Sequence, residues 1–125
     1  MNPIFDSYKP SKDCSVDRKA LLAILREMDK VSDPKSILVP CRHVLLRTSD
    51  GTMTITATDL DRRLTAVLVA VGDLPLVCVP TKLFCKLVAS ETARSLRLSA
   101  ESGFVLCVKS ADGNVRVRGI DPADY

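Results

Sequence analysis

Apolar and polar residues alternate with a period of two in the middle of the chain. Over residues 53–58 the apolar positions are Met53, Ile55 and Ala57, and threonines occupy the positions between and after them. Successive side chains of a strand point to opposite faces of its sheet, so this alternation is typical of a strand with one buried face. The pattern predicts a half-buried antiparallel strand at the centre of the fold.

The flanking segments predict a three-stranded meander around that strand. Asp50-Gly51 separates it from an apolar run over residues 37–47, in which Pro40 indicates an irregularity or a sheet edge. The Asp-Gly pair favours a hairpin turn because glycine tolerates the positive φ that the turn needs. A second turn at residues 59–61 leads into a third strand over residues 62–70.

Helical periodicity appears twice. Asp17 is a predicted N-cap, and the apolar residues after it follow the spacing of an amphipathic helix; they are Ala20, Leu21, Ile24, Leu25, Met28 and Val31. The helix is expected to end before Pro34, because proline disfavours helical geometry in the preceding residue. Pro80 suits the first position of a second helix over residues 81–89.

Five further apolar runs predict strands. The first is an expected edge strand, and the others are separated by short polar or glycine-containing segments; together they cover residues 12–16, 74–79, 95–100, 104–109 and 115–120. Residues 1–10 lack periodicity and predict a flexible N-terminal arm, and residues 121–125 predict a polar, irregular tail.

The order of these elements repeats. Residues 14–21 can be laid over residues 77–84 without a gap, and Lys19 then matches Lys82. Each half reads as β-α-β-β-β, and a repeated order of elements indicates two copies of one structural unit. We therefore predict an α+β fold, with two β-α-β-β-β repeats and two helices packed on one side of antiparallel sheets.

Composition limits the class of protein. The chain of 125 residues and 13.6 kDa fits a single domain, assigned to residues 11–125. With 4% aromatic residues and no Trp, its core must be aliphatic. No apolar run reaches the roughly 18 residues of a membrane span, and the N-terminus lacks the pattern of a signal peptide, so we expect a cytoplasmic protein without membrane contact. The net charge of +3 permits a polyanionic partner without requiring one.

The cysteines indicate packing rather than metal binding. There are five, with no C-x-x-C pair. Cys41 and His43 form a possible ligand pair, but no second pair would complete a tetrahedral site. No metal or other cofactor is expected.

Several motifs in this order resemble the first domain of the bacterial sliding clamp, the beta subunit of DNA polymerase III. They are Val44-Leu45-Leu46, Asp50-Gly51-Thr52, Thr58-Asp59-Leu60-Asp61, Val79-Pro80-Thr81-Lys82 and the closing run from Gly119 to Tyr125. The resemblance covers nearly all of residues 13–125, and it implies the DNA-clamp fold. Family members are about three times as long, and their pocket for polymerases and clamp loaders lies in later domains.

The resemblance implies non-specific contact with duplex DNA, as a processivity factor of replication or a fragment of one. A sliding protein should contact phosphates and avoid reading base edges, because specific contacts would hold it in place. Lys35 and Lys82 stand at positions of the family's DNA contacts, and the other candidates on the helices are Arg26, Lys30 and Lys86. Val115 and Val117 match positions of the family's subunit interface.

Two other functions remain open from the sequence. A free-standing single-domain relative could bind or regulate an intact clamp through its subunit interface, or could self-associate. Polymerase and clamp loader are expected partners only if later domains exist. An enzyme is disfavoured, because Asp59 and Asp61 lie at a turn and Cys85 has no evident base partner.

Overall fold

The computed structural model describes residues 13–111 and 113–125. Its strands and α-helices follow in the order β1 (Asp13–Asp17), α1 (Arg18–Val31), β2 (His43–Ser49), β3 (Thr52–Thr58), β4 (Arg63–Gly72), β5 (Val77–Pro80), α2 (Thr81–Ser90), β6 (Ser95–Glu101), β7 (Val105–Ser110) and β8 (Gly113–Arg118). Short 3-10 turns occupy Val39–Arg42 and Pro122–Asp124. The arm predicted for residues 1–10 lies outside the described residues.

The two β-α-β-β-β repeats are confirmed. Asp17 precedes α1 and its carboxylate accepts a hydrogen bond from the Ala20 amide at 2.9 Å, as predicted. Pro80 holds the matching position before α2, so the prediction that it would be the first helical residue was wrong by one position. The reason is that Pro80 still pairs with His43 as the last residue of β5.

All neighbouring strands are antiparallel and form one sheet in the order β5-β2-β3-β4-β1-β6-β7-β8. The repeats exchange their opening strands, because β1 pairs with β6 of the second repeat and β5 pairs with β2 of the first. A bridge between Cys78 and Ile120 also joins β5 to the segment after β8. Neither repeat therefore forms its sheet alone.

Both helices pack into one hydrophobic core against the inner face of the sheet. Leu21, Leu25 and Met28 of α1 and Phe84 and Val88 of α2 are all fully buried. The strands contribute further fully buried aliphatic side chains, including Leu46, Ile55, Leu98 and Leu106. The α+β clamp-type arrangement, with both helices on one side of an antiparallel sheet, is confirmed.

The hairpin between β2 and β3 also forms as predicted. Asp50 and Gly51 have φ angles of 50° and 82°. Two successive positive φ values are typical of a type I′ turn, whose twist matches that of the strands it joins. A Cβ placed on Gly51 would meet nothing within 4 Å, so the positive φ, and not a lack of space, favours glycine at this position.

Three strand predictions need correction. The first strand is internal, since β1 pairs on both sides, with β4 and β6. The run over residues 37–47 becomes a strand only at His43, because Pro40 initiates a 3-10 turn. The run over residues 74–79 becomes a strand only at Val77. The reason is that the backbone of Leu74 bonds to a side chain: its amide donates to the Thr48 hydroxyl at 2.8 Å, and the same hydroxyl donates to the Leu74 carbonyl at 3.0 Å.

The C-terminal segment is ordered against the sheet, contrary to the predicted irregular tail. The amide of Ile120 donates to the Cys78 carbonyl at 3.0 Å. Asp121 accepts a hydrogen bond from the Ala123 amide at 2.9 Å and so caps the terminal 3-10 turn. The Tyr125 hydroxyl then donates to the carbonyl of Thr56 in β3 at 3.0 Å. The segment thus spans from β5 to β3.

Candidate nucleic-acid interface

A buried hydroxyl pair joins the end of α1 to the start of α2. Ser32 follows the last residue of α1, Thr81 opens α2, and their hydroxyl oxygens are 2.8 Å apart. Ser32 is 7% exposed and Thr81 is fully buried. Because buried polar groups require partners, this hydrogen bond fixes the C-terminal end of α1 beside the N-terminal end of α2. We call this region the helix junction.

The predicted DNA-contacting residues belong to the segments that meet at the helix junction. Arg26 and Lys30 are four residues apart near the end of α1, and Lys82 and Lys86 have the same spacing at the start of α2. Residues four apart on a helix lie on the same side of it. Lys35 lies in the loop just after α1, and all five side chains are exposed. The fold thus brings together residues that are up to sixty positions apart (26 to 86) in sequence.

The half-buried thiol of Cys85 shows that the two helices share this charged surface. Burial raises the pKa of Cys85, and the nearby Asp29 carboxylate raises it further. The positive charges of Arg26 and Lys82 act in the opposite direction and lower that pKa. Arg26 from α1 and Lys82 from α2 are therefore both close enough to influence one group between the helices.

Carboxylates near the helix junction offset part of this charge. Lys30 Nζ lies 3.0 Å from Glu27 Oε1, in an ion pair whose two side chains are largely exposed. Asp33 Oδ1 accepts a hydrogen bond from the Lys35 amide at 2.9 Å. An exposed ion pair such as Lys30–Glu27 contributes only about 0–1 kcal/mol, so a phosphate can displace the Glu27 carboxylate from Lys30. The helix junction therefore presents an excess of long, mobile cationic side chains.

The opposite end of the helix pair has a second basic group that the sequence reasoning did not select. Arg18 Nε donates to the carbonyl of Ala93 at 2.8 Å, which links the start of α1 to the segment after α2. A cavity of about 380 Å³ at this end is lined by Arg18, Lys19 and Arg94 together with Asp17 and Thr92. The sequence did contain a signal for this group, because the repeat matches Lys19 with Lys82, which was selected as a DNA contact.

A larger cavity of about 610 Å³ opens beside the helix junction. It is lined by Pro34, Val39, Arg42, His43, Pro80, Lys82, Leu83, Lys86 and Ile120. His43 Nδ1 lies 2.7 Å from the Val39 carbonyl, so this nitrogen carries the proton. Burial lowers the pKa of His43. The hydrogen bond to the Val39 carbonyl acts to raise that pKa, and the positive charge of Arg42 acts to lower it. The only histidine of the chain is thus held neutral at neutral pH.

The two predicted interface valines lie on β8, which ends the sheet order. Val115 is 42% exposed, whereas Val117 is 1% exposed and packs in the core of the chain. Val117 therefore offers no exposed side chain for a partner, and Val115 is the exposed member of the pair. Between them, Arg116 Nε bonds both carboxylate oxygens of Glu101, at 2.6 Å and 3.0 Å.

Within residues 13–111 and 113–125, no group of three His, Cys, Asp or Glu side chains is placed to hold a metal ion. In the same part of the chain, no helix is both long and apolar enough to cross a membrane.

Solved structures of bacterial sliding clamps are similar to this chain over most of its length. The Helicobacter pylori beta clamp in complex with carprofen matches with a TM-score of 0.83 and 17% identity, over 90% of this chain and 30% of that one. The beta subunit of DNA polymerase III from Pseudomonas aeruginosa matches with a TM-score of 0.83 and 21% identity, over 90% of this chain and 31% of that one. The sliding clamp of Bacillus subtilis matches with a TM-score of 0.84 and 11% identity, over 90% of this chain and 32% of that one.

No protein-family model and no curated protein sequence matches the chain. It spans about a third of each clamp to which it is similar. Identities this low carry the fold alone, which agrees with the two repeats and the strand order described above. The chain has the fold of one domain of a bacterial DNA polymerase III beta clamp.

Proposed function

We propose that this chain is a clamp-type domain, formed by residues 11–125, that contacts the phosphate backbone of duplex DNA without reading its sequence. In this proposal it acts in replication as a processivity factor or as part of one. The contacts are made by Arg26, Lys30, Lys35, Lys82 and Lys86. The observation that carries the proposal is the helix junction, where the clamp fold gathers these exposed cations from two helices and a loop.

The chemistry of this surface suits sliding. Four of the five proposed contacts are lysines, which act as point charges and do not form the planar fork that arginine uses to read guanine. Neutralising a few phosphates gives affinities of roughly 10⁻⁴ to 10⁻⁶ M at physiological salt. Retention on DNA would then have to come from encirclement, which needs either further domains or several copies of the chain. The proposal is a binding module and not an enzyme, in keeping with the fold of the beta clamps.

The test is DNA affinity in the double variant Lys35→Glu/Lys82→Glu, measured by fluorescence anisotropy on a labelled duplex at low salt. Both side chains are exposed, so the thermal melt should be unchanged. We expect DNA affinity to fall at least about tenfold, because two phosphate contacts become repulsions. Lys109→Glu is the control for each single change, Lys35→Glu and Lys82→Glu, since it alters the net charge equally and this exposed lysine lies on β7, away from the helix junction. Equal affinity in the double variant and the wild type would refute these contacts.

A second candidate function is association through the edge of the sheet, with another copy of this chain or with a clamp subunit. It is favoured by the place of β8 at the end of the strand order and by the exposed Val115. Polymerase and clamp-loader binding would require later domains. The Helicobacter pylori beta clamp has also been solved bound to a DNA ligase peptide.

Light scattering tests that association directly. If β8 is an interface, the wild-type chain should form dimers or larger rings at high concentration, and Val115→Lys should shift it to the monomer. Arg118→Lys, a charge-conserving change on the same strand, serves as the control. A wild-type protein that stays monomeric alone and in the presence of an intact clamp would exclude the interface.

A further inference from the structure

The cavity beside the helix junction combines apolar walls with an unbalanced positive charge. Its apolar lining comes from Val39, Leu83 and Ile120 with two prolines, and its cations are Arg42, Lys82 and Lys86. No aspartate or glutamate is among the described residues that line it. At about 610 Å³ its volume is within the range of small-ligand sites in proteins, about 300–1,000 Å³. A suitable occupant is therefore apolar over most of its surface and anionic at one end.

The sequence repeat provides an internal comparison for the anion. The carboxylate of Asp17 caps the N-terminus of α1, and Asp17 lines the cavity at that end of the helix pair. At the N-terminus of α2 the matching residue is Pro80, no side chain caps the helix, and its first turn contains no acidic residue. The first turn of a helix attracts negative charge through its free amides. The second repeat therefore lacks the carboxylate that the first repeat supplies from its own chain.

Arg42 provides an independent observation. Its Nε is the one buried side-chain nitrogen or oxygen in the described parts of the chain that has no hydrogen-bond partner. Buried donors are almost always satisfied, and an unsatisfied one costs free energy. The buried Nε itself is closed to a ligand, whereas the more exposed end of the Arg42 guanidinium lines the cavity, so a carboxylate there accepts from that end and from the two lysines.

We propose that this cavity is a binding site for an organic carboxylate with a flat or branched apolar body. The apolar part lies against Val39, Leu83 and Ile120, and the carboxylate is held by Arg42, Lys82 and Lys86 at the start of α2. This inference goes beyond the proposed DNA contact and does not depend on it, although Lys82 and Lys86 would serve both. A carboxylate in the cavity would offset one positive charge beside those two lysines and weaken the binding of DNA.

The probe for this site is 2-naphthoate, compared with the uncharged 2-naphthamide of the same shape. Titration followed by isothermal calorimetry or by NMR shifts should give a Kd of roughly 0.1–1 mM for the carboxylate, as expected for a ligand of this size. The amide should bind at least about fivefold more weakly, because it is neutral and forms no ion pair with the lysines or Arg42. Equal binding of both compounds, or binding of neither, would overturn the proposal.

One variant separates this site from the DNA surface, and two others serve as controls. Leu83 is 52% exposed, so Leu83→Ser should fold normally; it should lose naphthoate affinity by about fivefold or more and keep its DNA affinity. Lys82→Gln/Lys86→Gln should lose both activities. Lys19→Gln, at the matching position of the first repeat, should bind naphthoate like the wild type. If Leu83→Ser binds naphthoate normally, the probe is held elsewhere and the cavity is not the site.

Discussion

The fold suppresses the ionisation of Tyr125 and Cys78, which meet where the C-terminal segment lies on the sheet, and burial also raises the pKa of Cys14, to about 11. Burial raises the pKa of Tyr125 to about 12, and the neighbouring Cys78 contributes to this rise. Burial likewise raises the pKa of Cys78 to about 12. Both groups therefore stay protonated in the folded chain at pH values where they ionise in the unfolded chain. Their protonated forms stabilise the docked C-terminal segment.

The stability of the protein should consequently fall at alkaline pH. The folded pKa values lie above the unfolded ones of 9.0 for Cys78 and 10.0 for Tyr125, so the unfolded chain releases these protons first. The associated stability is fully present below pH 9 and is lost as the pH rises toward 12. Urea titrations at pH 8, 9 and 10 should show a progressive decrease in the free energy of unfolding. A flat profile would contradict the burial of both groups.

Tyr125→Phe distinguishes the two contributions. At neutral pH the variant loses the hydrogen bond to the Thr56 carbonyl, which should cost about 1 kcal/mol. It should keep the loss of stability that begins near pH 9, which belongs to the buried thiols of Cys78 and Cys14, and should lose the component that begins near pH 10. An unchanged free energy of unfolding at pH 7 would show that the C-terminal segment is not docked in solution.

Single residues also mark the limit of what the sequence could predict about the candidate sites. Period-two alternation correctly places Val115 and Val117 on one face of a strand, yet it does not reveal where the core ends along that face. The structure places that boundary between the two valines.

Arg42 was missed for a similar reason. Its position next to His43 gives no sign that Lys82 and Lys86 approach from a helix forty residues later.

Among the secondary-structure elements, features encoded over a few neighbouring residues were predictable. The Asp17 cap and the Asp50-Gly51 turn each depend on a short segment, and each is confirmed. The predicted stripe of α1 is confirmed at Leu21, Leu25 and Met28, whereas Ala20 is exposed and the buried Leu22 was not predicted. The exchange of β1 and β5 between the repeats depends on residues far apart in sequence, and no local pattern reports it. The internal position of β1 was therefore predicted wrongly as an edge.

The contact between α1 and α2 can be tested through the hydroxyl pair at the helix junction. Ser32→Ala should leave the buried Thr81 hydroxyl without its partner, at a cost of about 1–3 kcal/mol in the free energy of unfolding. The double variant Ser32→Ala/Thr81→Val removes both polar groups and should recover part of that loss. The free energy of unfolding is measured by urea denaturation for the wild type, Ser32→Ala, Thr81→Val and the double variant.

A strictly additive effect of the two substitutions would contradict a direct hydrogen bond between them. Ser90→Ala serves as a control, because the Ser90 hydroxyl is exposed and bonds within its own helix, to the Leu87 carbonyl at 2.7 Å. That change should alter the free energy of unfolding by less than about 0.5 kcal/mol.

In the molecule as a whole, the sheet and the helix pair serve different purposes. The continuous eight-stranded sheet supports both helices against one core, and the helices present exposed cations at the helix junction. A surface built from lysines on a rigid support can attract a polyanion without fixing its register.

The most direct measurement is the salt dependence of duplex binding, made with two DNA molecules of unrelated sequence. If the helix junction contacts phosphates alone, both duplexes should bind with equal affinity, and log K should fall linearly with log salt concentration. A contact with about three to five phosphates predicts a slope of roughly −3 to −4.5, and Lys35→Glu/Lys82→Glu should reduce its magnitude by about two. Binding that is independent of salt, or that differs between the two sequences, would contradict non-specific phosphate contact at this surface.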